Sequence, residues 1–134
     1  MTATKRELLP LQTSSDVVVA RQKVRQWAIE LRFSLVDQTK LVTAASELAR
    51  NALDHGQGGQ MAIEIVNGAA RTGLKLVFED NGPGIPDIQL ALKDGFTTGP
   101  GMGLGLGGSK RLVNDFSIES EVGKGTKITV VRWK

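Results

Sequence analysis

Glu47, Asn51 and His55 stand four residues apart, so on a helix they form one polar stripe beside an apolar one. The side chains suit phosphate chemistry. An asparagine carbonyl oxygen is a ligand for Mg²⁺, a hard ion that shares its oxygen ligands with phosphates. A glutamate one turn away can take a proton from a hydroxyl or a water. His55, the only histidine of the chain, sits near the helix end, where the dipole also favours a cation. The same stripe is the ordinary pattern of a solvated helix face. Two further motifs decide between these readings. Asp80-Asn81-Gly82-Pro83-Gly84 places an acid at a strand end before a tight turn. The run Gly99-Pro100-Gly101-Met102-Gly103-Leu104-Gly105-Leu106-Gly107-Gly108 opens a helix. Backbone amides of such a run, with the helix N-terminus behind it, can hold phosphates.

These groups need elements to carry them. Leu8 to Thr13, short and proline-containing, is expected to be an edge strand. Asp16 is the expected N-cap of a first helix, in which Val17, Ala20, Val24, Trp27, Ala28 and Leu31 keep helical spacing. A second helix is predicted over Val36 to His55, with Leu41, Ala45, Leu48 and Ala52 buried and Gly56 as its stop. Met61-Ile63-Ile65 and Leu74-Leu76-Phe78 alternate as strands. A long loop covers Gly82 to Gly103, with a helical turn near Ile88 to Lys93. A helix from Leu104 to Asp115 and strands at Phe116 to Glu121 and Thr126 to Trp133 complete the chain. The order predicts a two-layer α/β (α+β) sandwich, a mixed sheet covered by helices on one face.

Strand parity aims the chemistry. Asp80 shares its side with Leu74, Leu76 and Phe78, so it points toward the helical layer. A carboxylate there needs a donor, and an adenine amino group is one. Thr126, in parity with Ile128 and Val130, is placed to line the same pocket. The competing reading makes Asp80 a turn residue capping Gly82 and Thr126 a plain strand former.

Composition removes other classes. The 134 residues suit one domain, are 40% hydrophobic and 23% charged, and carry a net charge of +3, too mild for a nucleic-acid surface. Without cysteine there is no disulfide, thiolate metal site or cysteine nucleophile. No apolar run reaches membrane-spanning length and no signal-peptide core is expected, which makes the cytoplasm the default. Gly103-x-Gly105-x-x-Gly108 matches a dinucleotide fingerprint, but a polar loop precedes it where a strand is required. The catalytic-loop and metal-binding signatures of eukaryotic-type kinases are missing.

Glu47-x-x-x-Asn51-x-x-x-His55, Asp80-x-Gly82-x-Gly84, Gly101-x-Gly103-x-Gly105 and Gly125-Thr126 resemble, in order, the N, G1, G2 and G3 boxes of the GHKL ATPases. That superfamily, with the Bergerat fold, includes gyrase B, Hsp90, MutL and the histidine kinases. The resemblance spans nearly the whole chain and implies a single ATP-binding domain over residues 1–134. Gyrase, Hsp90 and MutL types use a second domain, and sensor kinases use a separate phosphoacceptor histidine. The remaining type is the anti-sigma-factor serine/threonine kinase. Within it, Ser46 to Asn51, Glu79 to Asp87, Asp94 to Thr98, Lys110-Arg111-Leu112, Asp115-Phe116-Ser117 and Trp133-Lys134 resemble the switch kinases of the bacterial stressosome.

The resemblance implies the following roles. Asp80 would bind adenine, with Gly82 and Gly84 allowing close approach and Thr126 helping through water. Asn51 would hold Mg²⁺, and Glu47 would orient or deprotonate the acceptor hydroxyl. His55 falls in the N box. Gly101, Met102, Gly103, Leu104 and Gly105 would wrap the triphosphate, with charge from Lys110. Partners would be STAS-domain proteins of the RsbS and RsbR type in a stress response, followed by a downstream phosphatase or second-messenger enzyme. Arg21 matches an arginine near the phosphates and partner surface, though a solvated helix face explains it equally. Phe96 and Met102 give the glycine-rich segment an apolar contact surface. Two other classes stay open: an anti-sigma factor that sequesters a sigma subunit and phosphorylates its antagonist, and a nucleotide-binding module without catalysis.

Overall fold

The computed structural model describes residues 2–85, 87–92 and 105–134. Strand β1 (Thr2–Leu11) leads into helices α1 (Ser14–Glu30) and α2 (Leu35–Asp54), then a hairpin of β2 (Gly59–Gly68) and β3 (Arg71–Asp80). After α3 (Ile88–Ala91) and α4 (Gly105–Lys110), strands β4 (Asp115–Glu121) and β5 (Gly125–Trp133) form a second hairpin. The five strands lie in the order β1-β2-β3-β5-β4.

Every neighbouring pair is antiparallel, which corrects the mixed sheet expected from the sequence. The connection from β3 through α4 does return the chain parallel to β3. However, β5 folds back between β3 and β4, so the parallel strands never touch. Helices α1 and α2 pack on the sheet face lined by Leu11, Met61, Ile63, Leu76, Phe78 and Val130, all fully buried or nearly so. Helix α2 takes the central position, with Ala44, Ala45, Ala49 and Ala52 among its buried residues; small side chains let it lie close to its neighbours.

Several local expectations shift. Strand β1 begins six residues before Leu8 and ends at Leu11. Its first half is polar because it lies at the sheet edge. Pro10, opposite Gln60, is tolerated there for the same reason. The N-cap of α1 is Thr13, not Asp16. Thr13 accepts from the Asp16 backbone N–H at 3.2 Å, and the Asp16 carboxylate answers to the Thr13 N–H at 3.1 Å, a capping box. Helix α2 starts after Ser34, which caps Asp37 at 3.1 Å. Helix α4 ends at Lys110 rather than Asp115, because the backbone N–H of Asn114 bonds the Val131 carbonyl at 3.0 Å and Asp115 already pairs with β5. The helical turn expected near Ile88 is α3, and its expected last residue, Lys93, lies outside the described residues. Among the described residues no helix is long and apolar enough to cross a membrane.

Candidate nucleotide site

The helix-facing side of the sheet stays apolar until its last rung. Phe78 pairs with Ile128 and Ile128 with Ile118; two residues on, Asp80 pairs with Thr126 and Thr126 with Ser120. Strand parity thus delivers three polar side chains in one row at the edge of the core.

Asp80 is half-buried. Its Oδ1 accepts from the Gly82 backbone N–H at 3.0 Å. Desolvation pushes its pKa above the ordinary 3.8, while hydrogen bonds from the backbone N–H groups of Gly82 and Thr126 pull it back in part. Among the described residues no cation pairs with it. Glycine makes the packing around it possible. A Cβ at Gly56 would collide with the Asp80 carboxylate, and one at Gly82 with the Gly56 backbone. Gly56, expected as the stop of α2, does follow its C-cap His55 and is also a close-approach residue, while the left-handed backbone falls on Gln57 and Gly58.

The strap after Asp80 is fastened to the β4–β5 hairpin. The Pro83 carbonyl accepts from the Gly123 N–H at 2.8 Å, and the Ile85 N–H donates to Ser120 Oγ at 2.8 Å. Gly84, at φ +80°, lies where a Cβ would strike the Glu121 carbonyl. A cavity of about 350 Å³ opens at these strand ends; Glu79, Glu119 and Lys127, of the row facing away from the helices, line it together with Asp80, Ser120 and Thr126, and no residue of α2 does.

Glu47 and Asn51 lie on α2, flanking its buried stripe. Both are half-buried, and neither side chain has a hydrogen-bond or ion-pair partner among the described residues. An amide oxygen held ready in this way fits a shared Mg²⁺ ligand. The described residues contain no cluster of three His, Cys, Asp or Glu that would cage a metal alone, consistent with an ion that arrives with phosphates. His55 is the exposed C-cap of α2. Helix α4 packs against α2 and starts at Gly105, so the end of the glycine run meets the helix that carries Glu47 and Asn51. Lys110 is exposed at the far end of α4, and Arg21 is exposed on α1. Phe96, Gly101, Met102, Gly103 and Leu104 lie outside the described residues.

Sequence reasoning overlooked Ser120. Its signal was available: Phe116, Ile118 and Ser120 share one parity, the third being polar where the first two are apolar.

Residues 36–134 match the family described as histidine kinase-, DNA gyrase B-, and HSP90-like ATPase. The chain is 48% identical over 123 residues to the serine/threonine-protein kinase RsbT of Bacillus subtilis (strain 168), covering 92% of each. It is 32% identical to an anti-sigma F factor of Clostridium acetobutylicum, covering 96% of this chain and 92% of that one. Two solved structures share its fold at 20% identity. The first holds the RsbU and RsbW domains of a Mycobacterium tuberculosis protein, with a TM-score of 0.63 over 96% of this chain and 32% of that one. The second is the mycobacterial sensor histidine kinase MprB, with a TM-score of 0.57 over 96% and 97%.

Proposed function

This chain belongs to the histidine kinase-, DNA gyrase B- and HSP90-like ATPase family and is a serine/threonine-protein kinase of it; from that premise we propose that it phosphorylates STAS-domain partners of the RsbS and RsbR type, using Mg-ATP. Once released, it binds and activates a downstream signalling enzyme, and the whole pathway runs in the cytoplasm. The observation that carries the reading is Asp80, a half-buried carboxylate without a cation partner among the described residues and wrapped by Gly56 and Gly82. The backbone N–H groups of Gly82 and Thr126 already donate to it, a carboxylate has further acceptor positions, and the exocyclic amine of adenine would fill one.

Asp80, Gly84 and Thr126 would seat the base. Asn51 would hold Mg²⁺ through its amide oxygen, and Glu47 would take the proton of the acceptor hydroxyl. The glycine run up to Gly105 would supply amides to the phosphates, and its Phe96 and Met102 would meet the partner. Lys110 would add positive charge for the triphosphate, and Arg21 would add it near the phosphates and the partner surface. Mg-ATP brings the transferable phosphoryl group. Phosphoryl transfer asks the protein mainly for positioning and charge neutralisation, which these few groups supply.

The test is transfer of label from radioactive ATP to a purified STAS-domain protein. Glu47→Ala is expected to cut transfer by roughly 10²–10⁴-fold, the usual share of general-base catalysis, while ATP binding persists. Bound ATP with no labelled partner would make the chain a nucleotide-binding module. Aspartate at the acceptor position should release the kinase, because the phosphate it mimics adds negative charge beside Glu47. The identity to anti-sigma F factors favours a second reading, sequestration of a sigma subunit. Co-purification of that subunit with a stable dimer of this chain would select it.

A further inference from the structure

In the polar row beside Asp80, only one arrangement of protons makes every contact of Ser120 a hydrogen bond at once. A serine hydroxyl has one proton and two acceptor positions. The Ile85 backbone N–H donates to Ser120 Oγ at 2.8 Å, and Ser120 Oγ donates to the Gly125 carbonyl at 3.1 Å. Thr126 Oγ1 lies 2.8 Å from Ser120 Oγ. One proton cannot serve both the Gly125 carbonyl and Thr126, and a carbonyl can only accept. All three contacts are bonds together only when Thr126 donates to Ser120, the arrangement that leaves no polar group of the row unsatisfied. Ser120 is then saturated, with two bonds accepted and one donated. Thr126 has spent its only proton, so it can only accept from anything else that approaches it.

Thr126 sits opposite Asp80 in register, and an ionised carboxylate also only accepts. Two neighbouring side chains that can only accept favour a ligand edge that donates. Without Ser120, the Thr126 hydroxyl is free to turn and donate, and its share of that preference is lost while that of Asp80 remains.

We infer that Ser120 is a positioning residue for the base: it fixes the Thr126 hydroxyl as an acceptor, so that a 6-amino purine is selected over one without that amine. The inference rests on the reading of Asp80 as the base-binding carboxylate and deepens it. The strap itself does not depend on Ser120 alone, because the Pro83 carbonyl is held separately by Gly123.

The test is calorimetric titration with Mg²⁺ and either ATP or purine riboside triphosphate, which lacks the 6-amino group. Ser120→Ala is expected to weaken ATP about tenfold, the loss of one good hydrogen bond, and to leave the amine-free analogue within about twofold. Ser120→Thr, which keeps the hydroxyl, should restore the ATP preference. Thr126→Val should reduce that preference about as much as Ser120→Ala does, Asp80 supplying the remainder, and adding Ser120→Ala to Thr126→Val should cost little more, as for two members of one network. A merely structural Ser120 would weaken both nucleotides equally, and that result overturns the inference. Unchanged discrimination in Ser120→Ala overturns it too. If Ser120→Ala does not fold, Thr126→Val decides, and an ATP preference undiminished from the wild type refutes the inference. A wild-type chain that binds both nucleotides equally refutes the Asp80 assignment instead.

Discussion

At one end of the helix-facing sheet surface, Arg132 of β5 is gripped from two sides. Its Nη2 donates to Asp37 Oδ1 at 2.6 Å and its Nη1 to the Leu112 carbonyl at 3.2 Å, with the side chain only 15% exposed. That clamp ties the start of α2 and the segment after α4 to β5, even though Arg132 Nε is buried without a partner among the described residues. At the other end of the same surface stands Asp80, with backbone amides for company and no cation among the described residues. The two carboxylates respond in opposite directions. The Arg132 guanidinium holds Asp37 below its ordinary 3.8, whereas desolvation lifts Asp80 above it. A charge that the fold uses is paired within the fold. A charge left without a counterion is where the proposed nucleotide would complete the set.

The contrast breaks first, and hardest, at the clamp. Arg132→Ala strands Asp37 and a backbone carbonyl, and should destabilise the protein by about 2–4 kcal/mol, less than a fully dry pair because Asp37 is partly exposed. Denaturant unfolding measures this. A loss below about 0.5 kcal/mol, the range of an ordinary surface substitution, would show the clamp to be idle.

Asp80→Asn should do the reverse. It removes a desolvated charge, so stability should hold or rise slightly. ATP affinity should fall about tenfold to a hundredfold, the worth of one charge-assisted hydrogen bond at roughly 1.5–3 kcal/mol. GTP should compete poorly with ATP in the wild type. Equal losses of stability and affinity in this variant would erase the distinction between the two ends.

Acid titration gives the smallest but cleanest separation. Asp37 has a depressed folded pKa, so its stabilising share is complete above 3.8 and fades as pH falls through the lower folded value. Asp80 has a raised folded pKa, so its ionised form costs stability at neutral pH, and that cost is relieved as pH falls through the higher folded value. ATP affinity should therefore begin to decline above 3.8, before the Asp37 clamp weakens, and Asp80→Asn should abolish that decline. Calorimetry and circular dichroism over one acid series would read the two events. Coincident midpoints would contradict the opposed shifts.

Local signals made much of this legible. Helical spacing found α1 and α2 because both bury one face continuously, and alternation found β2 and β3 for the same reason. Parity alone aimed Asp80 and Thr126 toward the helices, where register confirms they lie side by side. Clues that depend on a partner strand were weaker. Polar Thr2 to Lys5 hid the start of β1, whose extended form comes from pairing with β2. The end of α4 was overrun because nothing local shows that Asn114 is claimed by Val131.

The sequence by itself determined which polar residues stand beside the apolar faces and which way they point, because residue type and a period of 2 or 3.6 are local properties. Only the tertiary structure decided which of them are neighbours. Gly56 reads as a helix stop until Asp80 is packed against it; Ser120 reads as an ordinary strand residue until Ile85, Gly125 and Thr126 meet on its one oxygen; and Arg132 lies 95 residues from the Asp37 that it clamps. Sterics, hydrogen-bond saturation and charge pairing are all contact properties, and contacts between distant segments exist only after the sheet has closed and α2 has settled on it.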